Sequence, residues 1–306
     1  MTSSRRSTTY RFATAERPVL PADRARVFFD GVFSEPRLQH PEGVAVGPDG
    51  WIWCGTENGE VLRIDPAGTR IERMAKAGGF TLGLAFLGNT ALFFCDNREA
   101  TVFRLDLASG RVERFASQGI RIPNYPAVDV ARRRLFVSDS HDFAAPGPGV
   151  FAFDLATGEG GLWYGGALVF ANGLALAPDG SALYVCETFA RRVTRIAIEP
   201  DGRAGAATPF AVDLPGLPDG IAFDDRGYLF CGCYEPSRIL RISPDGATVE
   251  VYVEDPTAHL LAHPTNIAFD GTALYTANLG RWHITRVDTD TGGRPLWQLV
   301  AEAIPA

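Results

Sequence analysis

Short apolar runs of three to seven residues dominate the chain, and turn residues separate them. One unit shows the pattern. Pro218-Asp219-Gly220 reads as a tight turn, Ile221-Ala222-Phe223 as an apolar strand, Asp224 onward as a polar turn, and Tyr228-Leu229-Phe230-Cys231-Gly232 as a second apolar strand. No stretch sustains a helical period, which excludes a helical solenoid. The unit first appears as Pro41-Glu42-Gly43-Val44-Ala45-Val46, a Pro-Asp-Gly turn at 48–50, Trp51-Ile52-Trp53-Cys54-Gly55 and a strand over 59–65, with a fourth strand predicted around 70–74. It returns with first strands at 82–86, 126–130, 171–176, 219–223 and 265–269.

Aligning Gly43, Gly83, Ala127, Gly173, Gly220 and Asn266 gives steps of 40, 44, 46, 47 and 46 residues. A period of about 40–50 residues with four short strands per unit predicts an all-β fold, a six-bladed β-propeller with four antiparallel strands per blade. A ring of sheets must close, or its end blades expose strand edges. A spare apolar strand over 25–33 precedes blade one, so the N-terminal strand is expected to close the last blade as its outer strand. The last repeat is expected to continue through residues 295–300. Residues 1–20 read as a flexible N-terminal arm, and 21–306 as a single propeller domain.

Composition narrows the partners. The 306 residues are 46% hydrophobic and 21% charged, ordinary for a globular protein, while 33 Gly and 21 Pro fit a chain of many turns. A net charge of −7 argues against a nucleic-acid partner. No apolar run nears the ~18–20 residues a membrane span needs, so no membrane partner is expected. The Ser/Thr/Arg-rich start has no apolar segment behind its charges and is not a secretory signal. Five Cys, four of them inside apolar runs, read as buried thiols in a reducing compartment, hence a cytoplasmic location. Cys231 and Cys233 lack a matching pair elsewhere, which disfavours a zinc site.

The first strand of each blade lines the central channel, and the residue that opens it sits at one mouth. Those residues are Glu42, Leu82, Asn124, Asn172, Asp219 and Asn266. Two carboxylates and several amide carbonyls converging on one axis suit a hard cation such as Ca2+. Asn and Asp ahead of Gly are also ordinary turn formers. Glu42 is not, and the coincidence at equivalent positions favours the ring.

The chain resembles the SMP-30/gluconolactonase/LRE-like family of six-bladed propellers, within a superfamily that also holds strictosidine synthase-like proteins and paraoxonases. The residues that carry this are Glu42-Gly43, the run from Asn172 to Gly180, Leu217-Pro218-Asp219-Gly220, and Pro264-Thr265-Asn266-Ile267-Ala268-Phe269. The resemblance implies one divalent metal held by Glu42, Asn172 and Asp219 with Asn124 beside it. Ca2+ is the first expectation; Zn2+, Mg2+ and Mn2+ are alternatives. It implies that the metal polarises a lactone or ester carbonyl and acidifies a bound water, with Asp219 as general base. Family members often have Asn-Asp where this chain has Asn124-Tyr125, and sugar lactonases usually carry Arg where it has Ile122. Both changes argue for a less polar pocket than a polyol needs.

The expected substrate contacts are therefore Asn124, Tyr125, Ile122, His141 and Asn266, with a small molecule as partner. His141 lies in a long loop after the second strand of blade three, where it could contact substrate or sit in solvent. His40 and His263 each precede an inner strand and could line the mouth or pack in a turn. Adjacent Ser140-His141-Asp142 cannot form a catalytic triad, whose members come from distant segments. Glu187 to Arg195 and Asp213 to Asp219 are similar to strictosidine synthase-like proteins, but blade six has Asn266 and Asn278 and no clear equivalent of the catalytic Glu of true strictosidine synthases. Two other readings stand beside the lactonase: another metal-dependent reaction at the same site, and a propeller that binds a small molecule without turning it over.

Overall fold

The computed structural model describes residues 10–296. Its strands form six antiparallel sheets, one per blade. Blade one is Val44–Val46, Ile52–Gly55, Glu60–Ile64 and Ile71–Lys76. Blade two is Thr81–Leu87, Ala91–Asp96, Thr101–Asp106 and Val112–Ala116, and blade three is Pro123–Asp129, Arg134–Asp139, Gly147–Asp154 and Gly160–Leu168. Blade four is Ala171–Leu176, Ala182–Glu187, Arg192–Ile198 and Ala204–Ala211, and blade five is Pro218–Phe223, Leu229–Cys233, Arg238–Ile242 and Val249–Glu254. In blade six the inner and second strands run together as Pro264–Asn278, followed by His283–Gly293.

The ring closes as the spare strand requires. Ala25–Asp30 pairs antiparallel with His283–Gly293, from Ala25 opposite Val287 to Asp30 opposite His283. The first segment of the propeller thus supplies the outer strand of its last blade, and no edge of blade six is left open there.

Second strands read as unbroken apolar runs because both faces of each blade are covered. Ala91–Asp96 and Ala182–Glu187 are buried at every position. Six apolar clusters fill the six spaces between neighbouring blades. Phe93, Phe94, Phe136 and Phe230 are inter-blade core, as expected; Phe230 packs edge-on against Phe269 across blades five and six. Trp51 differs: it is half-buried, with the guanidinium groups of Arg63 and Arg70 over its ring.

Residues 13–20 of the expected arm lie along the outer strand of blade five. Val19 and Leu20 donate backbone hydrogen bonds to Val251 and Tyr252. The buried Arg238 guanidinium donates to the Ala13 carbonyl and to Glu254, and Glu254 accepts the Ala15 N–H. The expected continuation of the last repeat past Leu296 falls outside the described residues, as do residues 1–9.

Candidate functional site

Glu42, Asn124, Asn172, Asp219 and Asn266 are all buried at the starts of their inner strands, on the end of the channel that the sequence placed them. Leu82 is buried in the same register and leaves an apolar gap at blade two. Close approach of adjacent strands holds the ring tight. A methyl group on Gly173 would lie 2.4 Å from the Asp219 carbonyl oxygen, and one on Gly220 would lie 2.5 Å from Cα of Asn266. Glycine behind the ring residue is therefore a packing requirement.

Each asparagine points its oxygen the same way, and the hydrogen bonds force this. Asn124 Nδ2 donates to Ser140 Oγ (3.1 Å), which donates to the Ala171 carbonyl (2.8 Å). Asn172 Nδ2 donates to Thr188 Oγ1 (3.1 Å), which donates to the Pro218 carbonyl (2.8 Å). A hydroxyl has one proton; having given it to a carbonyl, it can only accept from the amide. The amide must turn its nitrogen inward and its oxygen away. Asn266 Nδ2 donates to the Glu42 carbonyl (3.0 Å) with the same result. The carbonyls used belong to Ala171, Pro218 and Glu42, so each relay runs from one blade to the start of the next.

What remains is an unusual set of buried acceptors. Oδ1 of Asn124, Asn172, Asp219 and Asn266 are all buried without a hydrogen-bond partner. Buried polar atoms are almost always satisfied, so three at equivalent positions, Asn124, Asn172 and Asp219, with Asn266 one residue further along its strand, call for an electrophile that is not protein. Among the described residues, no group of three or more His, Cys, Asp and Glu could hold a metal ion. The ring has two such groups, and its other oxygens are amides. The donors are uniformly hard oxygens, and they fit a Ca2+-type cation.

The electrostatics agree. Burial raises the Glu42 carboxyl to about 7, opposed by a hydrogen bond from Thr265. Burial first, and then the charge of Glu42, push Asp219 well above the usual carboxylate range, with the Asn172 side chain opposing. Two carboxylates this close resist ionising together unless a cation joins them.

The remaining expected contacts divide. Ile122 is half-buried at the mouth, its N–H donating to Asp139 Oδ1 (2.8 Å). His141 stands in its loop with Nε2 3.1 Å from the Arg121 guanidinium, which can only donate to it. Tyr125 is as buried as the ring residues. It is 2% exposed, and its ring lies against Gly83 of blade two. It joins the apolar cluster between blades three and four, and only glycine at position 83 leaves room for its ring on the other side. The histidines ahead of blades one and six are both at the mouth. His40 Nδ1 meets Glu57, and His263 Nδ1 meets the Tyr234 carbonyl (2.8 Å) and Glu235 (3.3 Å).

Three features were missed by sequence reasoning. Ser140 and Thr188 orient the ring amides; both directly follow a second strand, a register the repeat alignment contains. Tyr234 follows the second strand of blade five, and its phenol is raised by burial and by the charges of Glu42 and Asp219. Phe143, Phe170 and Phe189 gather at the rim of blades three and four.

Known proteins bear out the resemblance. The profile described as SMP-30/Gluconolactonase/LRE-like region matches residues 163–279, which hold Asn172, Asp219 and Asn266. The profile described as Strictosidine synthase-like, N-terminal, matches residues 33–64, which hold Glu42. A 6-deoxy-6-sulfogluconolactonase of Pseudomonas putida is 34% identical over 36% of this chain and 38% of its own length. The chain thus spans little more than a third of that relative. Protein STRICTOSIDINE SYNTHASE-LIKE 6 of Arabidopsis thaliana is 25% identical over 82% of this chain and 79% of its own. A calcium-binding protein, regucalcin, from Agrobacterium tumefaciens shares the fold with a TM-score of 0.72 at 19% identity, covering 92% of this chain and 99% of that one.

Proposed function

We propose that this chain is a divalent-metal-dependent hydrolase that opens a lactone or related ester at the polar mouth of the channel. The observation that carries this is the set of four buried, unpartnered side-chain oxygens, three from amides and one from Asp219, with the Glu42 carboxyl buried among them. Glu42, Asn172 and Asp219 would hold the cation, with Asn124 beside it. Ca2+ suits the donors best, and the Agrobacterium neighbour is described as calcium-binding. When bound, such a cation supplies Lewis-acid polarisation of a carbonyl oxygen.

The chain's own groups supply the rest. Asp219 Oδ1 has no partner, so its carboxylate is free to take the proton of the attacking water and to return it to the alkoxide as the ester C–O bond breaks. Tyr234, within reach of both carboxylate charges, keeps its phenol proton and can donate it in a hydrogen bond to the carbonyl oxygen as negative charge develops there. The relay hydroxyls of Ser140 and Thr188 hold the amide oxygens in place before substrate arrives. The naming of the Pseudomonas relative as a lactonase supports the reaction class. The long match to a strictosidine synthase-like protein favours a second reading, another metal-dependent reaction at the same site. A panel of lactones and simple esters, assayed with and without chelator, separates the two: hydrolysis of at least one lactone that chelation abolishes supports the first, and metal binding without any ester or lactone turnover supports the second.

A further inference from the structure

We propose that the substrate carries an apolar substituent, an alkyl chain or an aromatic ring, that seats on a shelf formed by Phe143, Phe170 and Phe189. The proposal rests on the hydrolytic reading above and names the substrate class for that site.

The three rings run in a row across the rim of blades three and four. Phe143 and Phe170 have centroids 4.8 Å apart, tilted by 41°, and Phe170 and Phe189 are 4.8 Å apart, tilted by 48°. The row is fastened to the polar ring. Phe170 lies two residues ahead of Asn172, and its carbonyl accepts the Thr188 N–H (3.2 Å). Phe189 follows Thr188, whose hydroxyl holds the Asn172 amide. Phe143 belongs to the loop that opens with Ser140, whose hydroxyl holds the Asn124 amide. A molecule with its reacting carbonyl at the ring can therefore extend over the shelf.

Two features distinguish the shelf from ordinary packing. Phe143 is 70% exposed although it touches another phenyl ring, so a large apolar face is left open beside a polar site. Phe170 adopts φ 56°, a left-handed conformation that bulky residues avoid, at the entry to its inner strand. The same kind of backbone kink precedes the inner strands of blades one and six, where it holds His40 (φ 43°) and His263 (φ 52°). One backbone device thus presents imidazoles with carboxylate partners on one side of the mouth and a phenyl on the other. The rim at blades one and six is polar, whereas at blades three and four three phenyl rings cluster beside Arg121 and His141. A polyol over the phenyl rings would lose its hydrogen bonds to water and gain none from them, whereas an alkyl or aryl group loses nothing.

The test is steady-state hydrolysis, by the Ca2+-loaded protein, of γ-butyrolactone, γ-nonanoic lactone and glucono-1,5-lactone. The first two differ only in a pentyl substituent. The expected result is a kcat/KM at least about tenfold higher for the nonanoic lactone than for butyrolactone, a ratio that falls to about two or less in Phe143→Ser and in Phe189→Ser. Thermal melting and gel filtration accompany each variant. A ratio near one in the native protein, or a preference for gluconolactone that neither variant changes, overturns the shelf and leaves the hydrolase standing. Absence of turnover on every lactone overturns the hydrolase reading and the shelf with it. A change of oligomeric state in Phe143→Ser with the substrate ratio intact identifies the shelf as a contact between copies, and also overturns the proposal.

Discussion

Asp219 looks like a turn residue in the sequence, ahead of Gly220 and behind Pro218. Its partners make it something else. Its carboxyl and that of Glu42 are buried together, so ionising both without a cation destabilises the fold. The sign follows from the raised values: between pH 4.5, the ordinary value for Glu42, and about 7, its value here, the folded state holds more protons than the unfolded. The chelated protein is therefore expected to lose stability as pH rises through that window, by about 3 kcal/mol from Glu42 alone. Saturating Ca2+ should reverse the trend, since it binds the ionised form. Differential scanning calorimetry across pH 4 to 8 with chelator or with Ca2+ checks this; parallel curves would contradict it. Asp219→Asn should melt higher than the native protein in chelator at pH 8, yet gain nothing from Ca2+ and lose at least about a hundredfold in kcat/KM. Ser140→Ala and Thr188→Ala free the neighbouring amides to turn over. Each should weaken Ca2+ binding by about tenfold in a calorimetric titration, while the fold persists. That Glu42, Asn172 and Asp219 open their inner strands was legible because each stands one residue ahead of an aligned glycine. The two hydroxyls were not, because a Ser or Thr after a strand has many ordinary uses.

At the level of elements, the ends of the second strands set the shape of the mouth. Asp139, closing Arg134–Asp139, accepts the N–H groups of Arg121, Ile122 and His141. Asp96 does the same for Gly79, Phe80, Arg98 and Glu99, and Glu187 for Val169. Asn278 plays the part in blade six for Ala262. Each ties the loop that enters its blade to its own second strand. Asp139→Ala strands three donors and should cost about 3 kcal/mol in denaturant unfolding, with a larger effect on substrate KM than on kcat. An unchanged unfolding midpoint would contradict the role. The strands themselves were legible because apolar runs and turns alternate so regularly. The contact of Tyr125 with Gly83 was not legible, because the two lie forty-two positions apart in different blades and no local pattern reports a contact between blades.

The whole molecule depends on closure. Ala25–Asp30 seals blade six, and residues 13–20 then run along blade five, where the buried Arg238–Glu254 pair takes up the Ala13 carbonyl and the Ala15 N–H. A buried ion pair that loses partners is strongly destabilising. Removing residues 1–18 should therefore lower stability by about 2 kcal/mol or more while the six blades persist, as read by denaturant unfolding and circular dichroism. Closure was legible from the unpaired first strand; the docking of the arm was not, since it rests on backbone hydrogen bonds to blade five and on a buried guanidinium meeting the Ala13 carbonyl more than two hundred residues away. All six blades converge so that Glu42, Asn124, Asn172, Asp219 and Asn266 share one mouth, and the central claim is that a divalent cation there opens a lactone. The most direct measurement is lactone hydrolysis by the purified protein before and after chelation, with metal content determined in the same samples. The account predicts that activity disappears with the metal and returns on adding Ca2+. Full activity in protein shown to be metal-free would contradict it.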